Sequence, residues 1–135
     1  MTITRFIDFR VMGDQLGWLV SLEGGRNIPF EIRRTYYIFG TQTGVTRGRH
    51  AHHRLRQVMI CLAGSCDVML DDGKTQETVH LDRNDAGLAL DPMVWHEMSS
   101  FSPGCVLLVL ADAWYDESDY IRDYREFERL ARAGA

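Results

Sequence analysis

Apolar positions along this chain come in short runs broken by turn residues, not in long helical stripes. Residues 6–9, 16–22 and 33–39 carry β-branched and aromatic side chains, as strands do. Further strand-like runs follow at 50–53, 57–62, 66–70, 76–81, 87–90, 96–101 and 105–111. Between them lie Glu23-Gly-Gly-Arg-Asn, Ala63-Gly-Ser, Asp82-Arg-Asn-Asp, Asp91-Pro and Ser102-Pro-Gly, all chain-reversing combinations. Asp72-Gly73 between two such runs predicts a tight hairpin. Strands at this regular spacing predict a barrel or jelly roll over about residues 1–112. The pattern changes after that. Tyr120, Ile121, Tyr124, Phe127, Leu130 and Ala131 recur at three- and four-residue steps, and Asp116 or Ser118 precedes them as a cap. This predicts a C-terminal helix over about 117–131. The expectation is an all-β fold of one domain, residues 1–135, closed by a single α-helix.

Composition narrows the class. A chain of 135 residues suffices for one real core and not for two ordinary domains. The longest apolar runs are strand-length, far too short to span a bilayer as a helix. The first residues lack the apolar stretch of a signal peptide. Cys61, Cys66 and Cys105 are an odd number without ligand spacing, which argues against a disulfide framework and for a reducing cytoplasm. The net charge of −4 gives no basic field for nucleic acid. The cations are nevertheless unusual: fourteen are Arg and one is Lys. Arg is suited to forked recognition of phosphate or carboxylate. Four of them, Arg47, Arg49, Arg54 and Arg56, bracket a histidine pair, so the cluster favours an anionic ligand.

That pair, His50 and His52, sits at alternate positions of a predicted strand and therefore on one face. The spacing Gly44, five residues, His50-x-His52, four residues, Gln57, six residues, Gly64 resembles the first signature of the cupin superfamily. Gly87, four residues, Pro92, three residues, His96 resembles the second, without its usual glycine. The resemblance implies a cupin jelly-roll β-barrel with His96 brought near the pair. Two chemistries are open for such a set. Three imidazoles and an amide could hold zinc, iron, copper or nickel. Gln57, where metal-binding cupins usually carry Glu, and the surrounding arginines weigh against a cation. Without metal, two histidines can act as general base and general acid near neutral pH. Beside a ketone, such a pair could carry the carbonyl to the neighbouring carbon through an enediol. Tyr36 and Tyr37 lie on opposite faces of the preceding strand, so one of them can reach the site and donate to an enediolate oxygen.

Longer strings sharpen this reading. Arg47-Gly-x-His50-Ala-His52, Gln57-Val-x-Ile-Cys-Leu-x-Gly64, Trp95-His96-Glu97-Met98 and Tyr115-Asp-Glu-x-Asp-Tyr-Ile-Arg-Asp-Tyr124 are similar to those of the dTDP-4-keto-6-deoxyglucose 3,4-ketoisomerases, sugar-nucleotide cupins related to WxcM. The resemblance spans nearly the whole chain. It implies a metal-free enzyme without cofactor that converts a dTDP-4-keto-6-deoxyhexose to the 3-keto isomer, a step toward 3-amino sugars of polysaccharide, lipopolysaccharide or antibiotics. It implies His50 and His52 as the proton-handling pair with Tyr37 as their hydroxyl partner. It also implies a homodimer that exchanges N-terminal strands. Given that ligand, Arg33, Arg47 and Arg56 are the expected pyrophosphate donors, and Gln57 and His96 the expected contacts to the sugar. Arg33 shares a strand face with Tyr37, and Arg34 is expected to face solvent. Leu16, and His53 with Arg54, depart from the residues that relatives usually carry, and leave the C4 stereochemistry open.

Overall fold

A computed structural model describes residues 2–134. Two five-stranded antiparallel sheets face one another. The first contains β1 (Phe6–Asp8), β9 (Ala86–Leu90), β6 (Gln57–Ala63), β11 (Val106–Ala111) and β4 (Arg34–Ile38), in that order. The second contains β12 (Tyr120–Ile121), β5 (Arg47–His52), β10 (Trp95–Ser99), β7 (Cys66–Asp71) and β8 (Gln76–Leu81). Neighbours in each sheet are mostly distant in sequence, the crossing pattern of a jelly roll. The fold is therefore a cupin-type jelly roll. Among the described residues its two sheets meet face to face and do not close into one hydrogen-bonded ring.

Alternation along the strands divides the apolar residues among three cores. Between the sheets lie Met59, Val68, Leu70, Leu88, Leu107 and Val109, all fully buried. Central strands β6 and β11 are apolar on both faces, so a second core forms behind them. There Val58, Ile60 and Leu110 meet Phe9, Ile28 and Phe30 from the N-terminal segment. The third core covers the back of the other sheet. Ala51 and Trp95 receive Ile121 and Phe127, the latter from the helix α1 (Tyr124–Ala133).

The C-terminal segment departs from the predicted helix over 117–131. Glu117–Asp119 forms a 3₁₀ turn capped by Asp116. Tyr120 and Ile121 then pair with His52 and Ala51 as β12. The helix begins only at Tyr124, where the Asp123 side chain accepts from the Arg125 and Glu126 amides. The reason is local competition. Asp116 and Asp123 each satisfy free amides, so the segment divides into two capped pieces with an extended dipeptide between them.

One further pair of strands was not expected as two. The segment around 16–22 contributes β3 (Gly17–Val20), which turns back on β2 (Val11–Asp14). This hairpin is a separate two-stranded sheet, bonded to neither large sheet. It leaves Val11, Met12, Trp18 and Leu19 exposed, and Leu16 at its tip is 97% exposed.

Candidate active site

His50 and His52 project from one face of β5 into the space between the sheets, and Ala51 between them points to the outer core. His96 of β10 is directly opposite His50 in the ladder. Tyr120 of β12 is opposite His52 on the other side. Four rings therefore meet: His50 lies 5.0 Å from His52, 4.6 Å from His96 and 4.9 Å from Tyr120, between ring centres. Tyr120 lies 4.3 Å from His52. The turn into β5 makes this approach possible. Gly48 has φ of 85°, and a Cβ there would sit 3.0 Å from the His96 carbonyl oxygen and 3.1 Å from Met98 Sδ. Arg49 follows with φ of 59°, and the ladder to β10 shifts register beside it.

Hydrogen bonds fix two of the rings. His50 Nδ1 is 3.1 Å from the Gly48 carbonyl and His96 Nδ1 is 3.2 Å from the Val94 carbonyl. A carbonyl only accepts, so both rings donate from Nδ1 and carry a lone pair on Nε2. Nε2 of His96 and both nitrogens of His52 are buried without a hydrogen bond in the structure. Burial, followed by the neighbouring His50, lowers the pKa of His52 to about 3. Burial and then His50 lower His96 to about 3 as well. Burial also lowers His50, with Arg122 acting in the same direction and the Gly48 hydrogen bond against it. At neutral pH the three rings are neutral bases.

Sequence-expected residues separate into two groups. Gln57 is buried on β6 and donates from Nε2 to the Tyr36 hydroxyl at 2.9 Å. Burial, then Tyr120, raises the Tyr36 pKa, so this phenol stays protonated. Arg47 lines a cavity of about 380 Å³ together with His50, Tyr36, Tyr120, Arg34 and Arg122. Arg33, Arg56 and the ring face of Tyr37 are placed otherwise. On β4 the inward residues are Arg34, Tyr36 and Ile38, so Arg33 and Tyr37 fall on the outer phase. Arg33 is exposed and bonds Glu31, and Arg56 lies over the Phe30 ring. Tyr37 is 63% exposed beside Phe39 and also lines the cavity. Arg34, expected in solvent, thus lines the cavity, Arg33 is absent from its lining, and Tyr37 lines it from the more exposed phase of β4. The cause is the pairing of Tyr36 with Val109, which points into the inter-sheet core.

Three cavity residues escaped the sequence reading. The sequence pattern puts Arg34 in solvent and Tyr120 on a helix stripe, and gives Arg122 no role. Arg34 has a buried Nε without a hydrogen bond and stacks near Tyr36 and Tyr115. Arg122 lies 4.3 Å over Tyr120 and is gripped by both Glu117 oxygens. The repeated string from Tyr115 to Tyr124 was the available signal, since its density of charged and aromatic residues exceeds what helix packing requires.

His50, His52 and His96 are also the group whose ligand atoms, within 4.8 Å of one another, could hold a metal ion. That donor set contains no carboxylate, and Arg34, Arg47 and Arg122 surround it with positive charge. The chemistry on offer is instead proton transfer between neutral imidazoles under a cationic roof, next to two phenols.

Comparison with known proteins agrees with this geometry. A curated relative from Aneurinibacillus thermoaerophilus, TDP-4-oxo-6-deoxy-alpha-D-glucose-3,4-oxoisomerase, is 50% identical over 125 residues, covering 93% of this chain and 90% of its own. The solved 3,4-ketoisomerase QdtA from Thermoanaerobacterium thermosaccharolyticum, a histidine-to-asparagine mutant in complex with TDP-4-keto-6-deoxyglucose, superimposes with a TM-score of 0.96 at 41% identity, covering 98% and 97% of the two chains. The WlaRB TDP-quinovose 3,4-ketoisomerase from Campylobacter jejuni gives 0.90 at 46% identity, covering 96% and 99%. The family model described as FdtA: WxcM-like, C-terminal matches residues 2–132, and the chain belongs to that family.

Proposed function

We propose that this protein is a sugar-nucleotide 3,4-ketoisomerase that converts a dTDP-4-keto-6-deoxyhexose to the 3-keto isomer. The observation that carries the reading is the pair His50 and His52, neutral and on one face of β5, with His50 lining the cavity that holds Arg34, Arg47 and Arg122 and His52 lining the adjoining one with Arg34 and Tyr120. One imidazole removes the C3 proton. The electrons of that C–H bond form the C3–C4 double bond, and the C4 carbonyl becomes an enediolate oxygen. The C3 hydroxyl proton passes to the C4 oxygen, and protonation of carbon C4 by an imidazolium leaves the ketone at C3 and a hydroxyl at C4. A positioned acid–base group contributes ~10²–10⁴-fold. Tyr36, held by Gln57, and Tyr120 are the phenols placed to donate to the enediolate. Arg47, Arg34 and Arg122 are the cations placed for the pyrophosphate. His96 buries its unpaired Nε2 beside His50 and takes part in holding the sugar. The product's use in 3-amino deoxysugar synthesis belongs to the same proposal.

The test is proton exchange at C3 of dTDP-4-keto-6-deoxyglucose in deuterated water, followed by NMR, with wild type, His50→Asn and His52→Asn. Exchange with the wild type and its collapse in at least one variant is expected. Undiminished exchange in both removes these rings from the chemistry. Activity unchanged by chelators after metal-free purification is expected as well; loss on chelation would favour a metal-dependent cupin.

The same reading includes a homodimer that exchanges its N-terminal strands. An isolated hairpin is at best marginally stable in water. Here β2–β3 presents Val11, Trp18, Leu19 and Leu16 to solvent, which a second copy would cover. Among the described residues no helix is long and apolar enough to cross a membrane, and the three cysteines are free thiols. The free thiols support a cytoplasmic enzyme.

A further inference from the structure

Asp119 is a buried carboxylate that the proposed proton chemistry does not use. Its side chain is 9% exposed at the end of the 3₁₀ turn. Oδ1 accepts from the Arg54 amide at 3.0 Å and Oδ2 from the Leu55 amide at 3.1 Å. Its own carbonyl accepts from the His53 amide. The Arg54 guanidinium approaches within 3.6 Å from the solvent side. Asp119 therefore clamps all three residues that follow His52. Oδ2 also lies 3.4 Å from His52 Nδ1, near enough for Coulomb attraction but outside hydrogen-bond geometry.

His50 and His96 have their Nδ1 protons assigned by backbone carbonyls, and His52 has none. Among the described residues, the carboxylate oxygen within 4 Å of a His52 nitrogen is Asp119 Oδ2, and it lies on the Nδ1 side. An acceptor-only oxygen beside Nδ1 favours the proton on that nitrogen and leaves the lone pair on Nε2. We propose that Asp119 is a positioning residue that holds His52 in the Nδ1–H tautomer, so that all three imidazoles of the site present Nε2 as their basic atom. When His52 accepts a proton at Nε2, the Nδ1 proton stays on the ring, and the imidazolium faces a carboxylate. Asp119 itself takes up no proton. A carboxylate that orients a histidine in this way is a recurring device in acid–base sites.

The inference rests on the reading of His52 as one of the proton-handling pair, and its test is chosen to fail separately. Protein labelled with ¹⁵N at histidine reports the tautomer directly, with no substrate present. Wild-type His52 is expected to show a protonated Nδ1 and an unprotonated Nε2. Asp119→Asn, which keeps one acceptor oxygen for a backbone amide and replaces the other by an NH2 donor, is expected to lose that preference and to lower kcat about 10- to 100-fold with KM within about twofold, the usual scale for a partner that orients a histidine. Asp119→Glu should restore part of both. An Nε2–H tautomer in the wild type overturns the proposal, even if no variant folds. So does an Asn variant with unchanged kcat, or one whose kcat falls while the tautomer is kept. Undiminished exchange in His52→Asn, with the Nδ1–H tautomer observed, instead overturns the catalytic reading of His52.

Discussion

Acidification should destabilise this protein between pH 6.5 and 5, before its carboxylates titrate. His52 and His96 are buried, and burial with the neighbouring His50 holds both near a pKa of about 3. In the unfolded chain each returns to its ordinary value of 6.5. As pH falls through 6.5 the unfolded state binds protons that the folded state refuses, so stability falls with pH. Going from pH 7 to pH 5 removes about 2 kcal/mol for each ring, or about 4 for the two. His50, lowered in the same sense, adds to this loss. His80, raised by its exposed pairing with Asp67, works against it, so His80→Asn is the proper background. Glu77 and Glu117, lowered from 4.5 to about 2, lose their stabilisation as pH falls from about 4.5 toward 2, below this window. The assay is urea unfolding at pH 7, 6 and 5 in wild type and in His96→Asn, both in that background. The variant should lose about 2 kcal/mol of the pH dependence, somewhat less than half of it. Equal pH dependence in wild type, His96→Asn and His52→Asn would refute the assignment of these rings as neutral buried bases.

Other outcomes follow from packing and phase. Tyr36→Phe should lower kcat about 10²- to 10³-fold, the scale of a lost donor to a developing oxyanion, and more than Tyr37→Phe does; steady-state assay of both decides which phenol matters. Phe127 is fully buried against Trp95 and Tyr124, so Phe127→Ala should cost about 3–5 kcal/mol in denaturant unfolding. A Cβ on Gly87 would lie 2.5 Å from Val58 Cγ1 and 3.0 Å from Phe9 Cζ, so Gly87→Ala should cost about 1–3 kcal/mol by overpacking. Trp18→Ser with Leu19→Ser should shift the mass measured by light scattering from dimer toward monomer; an unchanged dimer would place the interface elsewhere.

How much of this was legible depended on which physical signal each element carried. The hairpin at Asp72-Gly73 was plain, because its Asp side chains accept from the Gly73 and Lys74 amides as turn chemistry requires. His50 and His52 were legible because strand alternation alone puts them on one face. The phase of β4 was not. Arg33-Arg34-Thr35-Tyr36-Tyr37 offers an Arg and a Tyr to either face, and only pairing with β11 selects one. That partner is itself apolar on both faces, so its sequence does not reveal the phase either. β2 was hidden because Gly13 and Asp14 read as turn residues. Tyr120 and Ile121 fit a helical stripe as well as a strand, and two residues hold too little pattern to choose. Asp119 had no signal of its own, because its importance arises from amides some sixty positions away in the chain.

The two-residue strand β12 sends Tyr120 to the histidines and Ile121 to the core beneath α1. One peptide thus joins the reaction chamber to the packing that seats the helix. Its partner β5 is made much earlier in synthesis, and a chain released only as far as β11 can build most of both sheets but not the wall of the chamber. The chamber therefore lacks Tyr120 and Arg122 until the segment after β11 is in place, and its completion falls to residues near the end of the chain.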